Sequence, residues 1–407
     1  MLLSMLMAGF FARPELRLLK ADSWTTIFSI LSDSLGKKPC VVFLDEFQWL
    51  ASERTRLVSH LKYAWDNFFS RKNRVLLILC GSVSSFMVNR VLKSKALYGR
   101  VDQEIHLGPL RLEEIKKSFV SKRSIKELVE LYMVVGGVPQ YLKMADLSKS
   151  IYLNIDKLCF SPNGYLVNEF DRLFASHFGS NSHYRSILDS LARRGWANRN
   201  RLKKDCKLGS GGRISEYLSN LELAGFIESY ASVDRPHALR ELRYRISDQY
   251  LMFYFKFIHR NRNRINRLEG MHTIAQFLPN KSLRVWRGLA FERICYLHHH
   301  RIAEKLGFKA VAYEFGSWFA KGEKNLKTQV DLIFLRADNV ITLCEIKFTD
   351  KKVGLEIVSD VERKIEVFPN PKDRTIEKVL ITAAEPTGKL LNEGYFHAIL
   401  TLEELFS

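Results

Sequence analysis

The sequence predicts a mixed α/β protein with several domains. Short apolar runs typical of buried strands occur near both ends of the chain, at residues 39–44, 74–80 and 329–348, and segments with helical periodicity lie between them. The chain has 407 residues, which is enough for roughly two to four domains. Its hydrophobic content of 46% can supply a core to each of them.

The charge of the chain favours an anionic partner. The formal net charge is +19, so nucleic acid is the first candidate and an anionic membrane surface the second. Residues 1–11 are apolar, but they are too few to span a membrane and lack the features of a signal peptide, so a core helix is predicted there. We therefore expect a DNA partner and no membrane association, and the sequence leaves a homo-oligomer open.

Cysteine and histidine usage points away from disulfides and zinc. The six cysteines are scattered without a Cys-x-x-Cys pair, as is typical of buried thiols in a reducing compartment, so a cytoplasmic protein is expected. His298, His299 and His300 are consecutive, and on a helix their side chains point about 100° apart. They are predicted to lie on a helix surface and not to chelate one ion.

The first strand, residues 39–44, ends in the acids Asp45 and Glu46. This has the form of a Walker B motif, in which the first acid helps to hold Mg²⁺ and the second polarises the attacking water. The next strand ends at Ser82, whose hydroxyl could sense a terminal phosphate, and Arg100 could reach a nucleotide. The alternative is an ordinary strand end whose acids cap the next helix.

The middle of the chain predicts helices followed by a β-ribbon. Helical periodicity runs over residues 112–133 and ends before Gly136. Further helices are predicted over residues 183–192, 202–206 and 214–223, with strands at 226–230 and 242–246. Three helices and a ribbon form the winged-helix layout.

Basic residues are concentrated in this middle segment. The candidates for phosphate contacts are Arg199, Arg201, Lys203, Lys204 and Arg213. In a DNA complex the third helix, with Arg213 and Asn220, would enter the major groove. The alternative is a solvated basic face on a module that contacts only its neighbouring domains.

A hairpin near the C-terminus carries the strongest chemical pattern. Residues 329–335 and 341–348 read as two strands joined by a turn at Asp338 and Asn339. Pairing across a loop of residues 337–339 sets Asp331 opposite Glu345, and the period of two places Lys347 on the same face.

Two carboxylates and a lysine on one face of an apolar hairpin fit a metal site. Two oxygen ligands and a substrate phosphate suit Mg²⁺, which keeps several waters, and a lysine can orient the attacking water. The chemistry indicated is phosphodiester hydrolysis by Asp331, Glu345 and Lys347. The alternatives are a solvated surface hairpin, or an ion pair of Asp331 with Lys347 and no metal.

These residues resemble the PD-(D/E)XK nuclease superfamily, in which an Asp and an E-x-K on the next strand follow a helix with another acid. Here a helical run that opens at Gly288-Leu289-Ala290-Phe291-Glu292 precedes them. The resemblance implies a catalytic role for Glu292 as well.

The first part of the chain is similar to the archaeal-type ATPase family, which is related to AAA+ proteins. The resemblance is carried by residues 44–50, 79–82, 97–100 and 136–142. It implies ATP and Mg²⁺ as cofactors, a winged helix, and a C-terminal nuclease-like domain.

One part of that family's pattern is missing. No Gly-x-x-x-x-Gly-Lys-Ser/Thr occurs in the sequence. We therefore expect an N-terminally shortened relative, whose ATP hydrolysis is doubtful. The expected domains are an incomplete P-loop ATPase core (1–110), a helical lid (111–178), a winged helix (179–266) and a PD-(D/E)XK-like domain (267–407). The function predicted is a Mg²⁺-dependent DNA endonuclease fused to an ATPase remnant, or a DNA-binding or regulatory protein with both sites silent.

Overall fold

The computed structural model describes residues 11, 14, 23–36, 38–51, 55–71, 74–82, 86–118, 123–208, 212–238, 241–267, 274–320 and 328–406. The chain forms two compact units, residues 1–107 and residues 108–407. Apart from Phe11, the helix predicted at residues 1–11 lies outside the described residues. Within the described part of the chain, no helix combines the length and the apolar character needed to cross a bilayer.

Among its described residues, the first unit is built on a two-stranded parallel sheet. Its elements are α1 (Trp24–Ser34), β1 (Cys40–Leu44), α2 (Phe47–Leu50), α3 (Leu57–Ala64) with a π-helical extension (Trp65–Phe69), β2 (Val75–Leu79) and a π-helix (Met87–Leu92). Leu44 of β1 pairs with Leu79 of β2, so both strands end at the same edge. Phe28, Phe47 and Phe69 are fully buried and form the centre of the unit's core.

One face of this small sheet is apolar and open to solvent. Val41 and Phe43 of β1 are 60% and 54% exposed, and Leu76 and Ile78 of β2 are 57% and 38% exposed. Parallel sheets are normally covered on both faces. The described residues cover only the other face of this sheet.

The second unit begins with five helices: α4 (Leu112–Ser118), α5 (Ile125–Val135), α6 (Pro139–Met144), α7 (Ile151–Ile155), which continues as a π-helix (Asp156–Phe160), and α8 (Tyr165–Phe178). Ser124 begins α5 with a capping box, because its hydroxyl accepts from Glu127 N–H and the Glu127 carboxylate accepts from Ser124 N–H. Every residue of α5 from Leu131 to Val135 is buried.

The next elements follow the predicted order of three helices and a ribbon. They are α9 (Ser182–Arg194), β3 (Ala197–Asn198), α10 (Arg199–Asp205), α11 (Arg213–Leu223), β4 (Ile227–Tyr230) and β5 (Arg243–Ile246). β5 is the central strand of this sheet and pairs antiparallel with β3 and β4. The short strand β3 was not predicted, because two residues are too few for a period of two to show.

The loop between β4 and β5 does not extend freely from the ribbon. Val233 N–H donates to the carbonyl of Ser317 at 3.0 Å, and an Arg235 guanidinium nitrogen donates to the carbonyl of Phe319 at 3.1 Å. Both carbonyls belong to β6, which is an edge strand of the larger sheet. The loop therefore covers part of an edge that would otherwise present unpaired backbone groups.

The C-terminal part contains that larger sheet. Its elements are α12 (Gln249–Phe253) with a π-helix (Tyr254–Ile258) and a 3₁₀ turn (His259–Asn261), α13 (Arg262–Asn266), a 3₁₀ turn (Ile274–Gln276), α14 (Asn280–Leu297), α15 (His299–Lys305), β6 (Tyr313–Phe319), β7 (Gln329–Arg336), β8 (Val340–Lys347), α16 (Glu356–Val367), β9 (Thr375–Thr382), α17 (Gly388–Glu393), β10 (Ala398–Thr401) and α18 (Leu402–Phe406). The strand order is β10-β9-β8-β7-β6, antiparallel from β6 to β8 and parallel from β8 to β10.

Two predictions about this region were wrong in detail. The helix that carries Glu292 begins at Asn280 and not at Gly288, which lies inside it. A single glycine within a helix costs only about 1 kcal/mol, and the preceding Pro279 marks the start. His298 is not on a surface: it is 1% exposed, and its Nε2 accepts the N–H of Leu112 at 3.1 Å.

Candidate active site

The hairpin of β7 and β8 has the register predicted from the sequence. Leu332 pairs with Cys344 and Leu335 with Ile341. The same register, continued by one residue, sets Asp331 opposite Glu345. The main-chain N–H of Ile346 donates to the Asp331 carboxylate, so this acid is held at the strand ends by the neighbouring strand.

Glu345 is the most buried acid of the group. Its side chain is 1% exposed and lies between two lysines: Lys347 Nζ is 2.8 Å from Oε1, and Lys364 Nζ is 2.5 Å from Oε2. Lys364 donates a hydrogen bond to Oε2. The Lys347 ammonium forms an ion pair with Oε1, for which the described residues supply no hydrogen-bond donor in good geometry. Lys364 lies on α16, and nothing in the sequence pattern marked it as part of the site.

Glu292 and Asp331 have perturbed acidities. Burial raises the pKa of Asp331 to about 6, an effect that Lys364 opposes and Glu345 reinforces. Burial also raises the pKa of Glu292 to about 8, with further contributions from the charges of Asp331 and Glu345. Burial disfavours the charged form of Lys347, but the carboxylates of Glu345 and Asp331 outweigh it and raise the pKa of that lysine. The structure thus brings the four predicted residues into one electrostatic group.

The donor set permits a small divalent ion with few protein ligands. Among the described residues, no three side chains of His, Cys, Asp or Glu are gathered as a metal cluster. Asp331 and Glu345 provide two carboxylates, one with an oxygen that lacks a donor. Mg²⁺ is commonly bound by one or two carboxylates together with waters and substrate phosphates. The residues present therefore fit Mg²⁺ better than an ion that needs a full protein cage.

Glu292 makes the stability of the metal-free protein depend on pH. The folded chain keeps this proton up to about pH 8, whereas the unfolded chain loses it near 4.5, so the free energy of unfolding falls as pH rises through that interval. We expect Glu292→Gln to be more stable than the parent by a few kcal/mol at pH 8.5 in EDTA, and nearly equal to it at pH 4. Chemical denaturation at several pH values measures this.

The control is Glu314→Gln, which changes an exposed acid on β6 and should leave the pH profile unaltered. In this variant Asp331 still makes stability depend on pH, but over a shorter pH interval, because its pKa rises only from 3.8 to about 6 on folding. A Glu292→Gln profile that still declines between pH 6 and 8 as steeply as the parent's would contradict the assignment.

Three of the four predicted nucleotide residues of the first unit, Asp45, Glu46 and Ser82, meet at the strand ends. Ser82 Oγ donates to Glu46 Oε2 at 2.9 Å, and Gln48 Nε2 donates to both Ser82 Oγ, at 3.0 Å, and Glu46. Glu46 has a φ of +49°, and its N–H donates to Asp45 Oδ1 at 2.9 Å. Gln48 was not predicted, although it stands two residues after Glu46 at the start of α2.

Arg100 has a different partner. Its guanidinium forms a bidentate ion pair with Asp66, with Nε 2.7 Å from Oδ1 and Nη2 3.0 Å from Oδ2. The structure therefore engages Arg100 with the π-helical extension of α3, while Asp45, Glu46 and Ser82 lie together. The two side chains of this ion pair are 34 residues apart in sequence, so no local pattern could predict the pairing.

The predicted DNA-binding residues lie along α10 and at the start of α11. Arg199, Lys204 and Arg213 are exposed. Arg201 is half-exposed and lies 3.1 Å from Asp205, and Lys203 is partly buried. Asn220, expected in the major groove, instead donates its amide to the hydroxyl of Tyr184 at 2.8 Å, which ties it to α9.

The protein is thus a mixed α/β protein of two units, and the second unit contains the acidic cluster of Glu292, Asp331 and Glu345. Residues 254–359 match the family model DUF234, described as archaea bacterial proteins of unknown function. The uncharacterized protein MJECL04 of Methanocaldococcus jannaschii is 29% identical over 344 residues, which is 83% of this chain and 73% of that protein.

Two solved structures are remotely similar. The Walker-type ATPase PABY2304 of Pyrococcus abyssi has a TM-score of 0.41 and 19% identity over 59% of this chain and 69% of its own. The ORC2 protein of Aeropyrum pernix, in ADPNP and ADP complexes, has a TM-score of 0.39 and 13% identity over 65% of this chain and 75% of its own.

Proposed function

We propose that this protein is a Mg²⁺-dependent nuclease that hydrolyses phosphodiester bonds in DNA, with a PD-(D/E)XK-like domain in residues 267–407. The observation that supports it best is Oε1 of Glu345, a buried carboxylate oxygen without a hydrogen-bond donor beside a second acid of raised pKa. A buried carboxylate needs compensating positive charge, and Mg²⁺ would add to the charge that the Lys347 ammonium places 2.8 Å from this oxygen.

Each residue has a role in this proposal. Asp331 and Glu345 would hold Mg²⁺, which when bound acidifies a water and offsets charge on the phosphate. The Lys347 side chain is 42% exposed, so its ammonium can donate to an attacking water or to a phosphate oxygen. Glu292 holds a proton at neutral pH and releases it more readily beside a cation, so metal affinity should increase as pH rises toward 8.

DNA would be held by a winged helix in residues 179–266. Helices α9 to α11 and the ribbon of β4 and β5 supply its elements. The docking of the β4–β5 loop on β6 leaves Arg199, Lys204 and Arg213 of the helices as the groups that can reach phosphates. Each phosphate contact on duplex DNA should add about 0.9 to the logarithmic salt slope of affinity.

A direct assay tests the nuclease. The purified full chain should nick supercoiled plasmid in Mg²⁺ and not in EDTA. Absence of nicking at any concentration of Mg²⁺ or Mn²⁺, with a correctly folded sample, would reject the proposal.

A second candidate is a DNA-binding or regulatory protein with a silent acidic site. Lys364 favours it, because its ammonium already neutralises Glu345 from α16 at 2.5 Å. In that case a lysine pair occupies the place that a metal would take. DNA affinity would then depend on salt, and no strand would be cut.

A P-loop ATPase-like core is proposed for residues 1–110 and a helical lid for residues 111–178. Asp45, Glu46 and Ser82 are disposed for Mg²⁺ and a terminal phosphate, but the sequence contains no Gly-x-x-x-x-Gly-Lys-Ser/Thr whose backbone N–H groups and lysine could hold the phosphates.

We expect this polypeptide to bind ATP only weakly. Without the phosphate cradle, the dissociation constant for ATP should be higher than about 1 mM, a value that corresponds to a binding free energy of about −4 kcal/mol. Isothermal titration with ATP and Mg²⁺ measures it, and Glu46→Gln should make no difference. Micromolar binding that is lost in Glu46→Gln would show instead that the nucleotide site works.

A further inference from the structure

A basic pocket with a tryptophan lies on the surface of the second unit, between the end of α9 and α10. Its volume is about 500 Å³, within the range of roughly 300–1,000 Å³ usual for sites that hold small molecules. The lining residues are Arg193, Arg194, Trp196, Ala197, Asn198 and Arg201. The side of the pocket thus offers both an aromatic ring and positive charge.

The ring of Trp196 is held in place from behind. The guanidinium of Arg243 lies 3.8 Å from the centroid of the Trp196 ring and 3.3 Å from that of Phe319. Arg243 is therefore stacked between the two rings, which joins β5 to β6. Trp196 remains 38% exposed, so a fixed aromatic surface faces solvent at the pocket.

The arginines of the pocket are oriented but not neutralised. Asp205 accepts from Arg194 Nε at 2.6 Å and lies 3.1 Å from Arg201 Nε, so one carboxylate positions two guanidinium groups. Arg193 is exposed and has no carboxylate partner among the described residues. Three guanidinium groups against one carboxylate leave the pocket positive, which suits a phosphate.

We infer that this pocket binds an unpaired nucleotide of a single-stranded nucleic acid, with the base stacked on Trp196 and its phosphate beside Arg193. Stacking on an aromatic ring is the common way in which proteins hold single strands, because every base has a π-face. A base inside a duplex is already stacked on its neighbours and cannot offer that face. The inference rests on the proposed nucleic-acid partner but not on cleavage.

Binding of the full chain in EDTA tests the pocket. Fluorescence anisotropy compares a labelled oligothymidylate with a duplex of mixed sequence. We expect Trp196→Ala to weaken single-strand binding by roughly 5- to 100-fold, Trp196→Phe to retain most of the affinity, and duplex binding to change less than about twofold. The matched control is Tyr152→Ala, which removes another exposed aromatic of the same unit.

Arg193→Ala provides a second test that does not disturb the Trp196 stack. Because this side chain is exposed and has no carboxylate partner in the described part of the chain, the variant should fold normally and lose about 0.7 from the logarithmic salt slope of single-strand affinity. Unchanged single-strand affinity in Trp196→Ala, or an equal loss for the duplex, would overturn the inference.

Two further outcomes separate the possible ligands. If thymidine monophosphate binds as tightly as the oligothymidylate, the pocket is a site for free nucleotides. That result would overturn the inference that it binds a single-stranded nucleic acid. If the parent chain binds no nucleic acid, both this inference and the proposed DNA partner are overturned. If plasmid nicking is lost only in variants of the acidic site, the nuclease proposal stands whatever the pocket binds.

Discussion

Asp331→Asn should abolish Mg²⁺-dependent nicking of plasmid, with a loss of at least about 100-fold in rate. Asparagine keeps the shape of the side chain and can still accept the N–H of Ile346, but it removes the negative charge that would hold the cation. Burial already disfavours the ionised form of Asp331, so the loss of that charge should not unfold the chain. Rates of nicking against Mg²⁺ concentration measure the effect.

Two variants sharpen this result. Lys347→Met should lose rate but retain metal binding, because its ammonium contacts Glu345 and would meet water or phosphate, not the ion. Glu314→Gln, on the neighbouring strand β6, should nick like the parent. Nicking by Asp331→Asn at the rate of the parent would place the activity elsewhere.

The hairpin of the acidic site could be predicted because its determinants are local. Strand alternation and a turn at Asp338 and Asn339 specify the pairing that sets Asp331 opposite Glu345, and slipping it by one residue would turn every apolar side chain outward. Asp45, Glu46 and Ser82 could be predicted to meet for a related reason, since parallel strands end at one edge.

Contacts made by tertiary packing could not be predicted in this way. Lys364 reaches Glu345 only because α16 packs against the sheet. Trp196 stands in a basic segment that looks like a solvated face until Arg243 and Phe319 stack behind it. In both cases the residues in contact are far apart in sequence, and no local sequence pattern predicts the contact.

Lys364 decides between a metal site and a silent ion-pair cluster. Its side chain is 14% exposed, and its ammonium makes the hydrogen bond to Oε2 of Glu345, whose side chain is 1% exposed. Removing one partner of a buried pair leaves a poorly compensated charge, which typically costs about 3–5 kcal/mol. Because Lys347 remains, we expect Lys364→Met to lose about 3 kcal/mol of unfolding free energy in EDTA.

Mg²⁺ should then restore the unfolding free energy that Lys364→Met loses. If Asp331 and Glu345 form a cation site, millimolar Mg²⁺ will stabilise Lys364→Met more than the parent, because no ammonium competes for Glu345 and ligand binding to the folded state adds to stability. Thermal or chemical denaturation with and without Mg²⁺ gives both numbers for each variant.

The matched control is Lys309→Met, since the Lys309 ammonium pairs with Glu304 at 3.0 Å on the surface and the lysine side chain is 67% exposed. Surface pairs contribute about 1 kcal/mol or less, so this variant should stay close to the parent with or without Mg²⁺. If Lys364→Met is destabilised and Mg²⁺ restores nothing, the two lysines are permanent partners of Glu345. The acidic cluster is then a structural ion pair, and the DNA-binding or regulatory alternative gains the support that the nuclease loses.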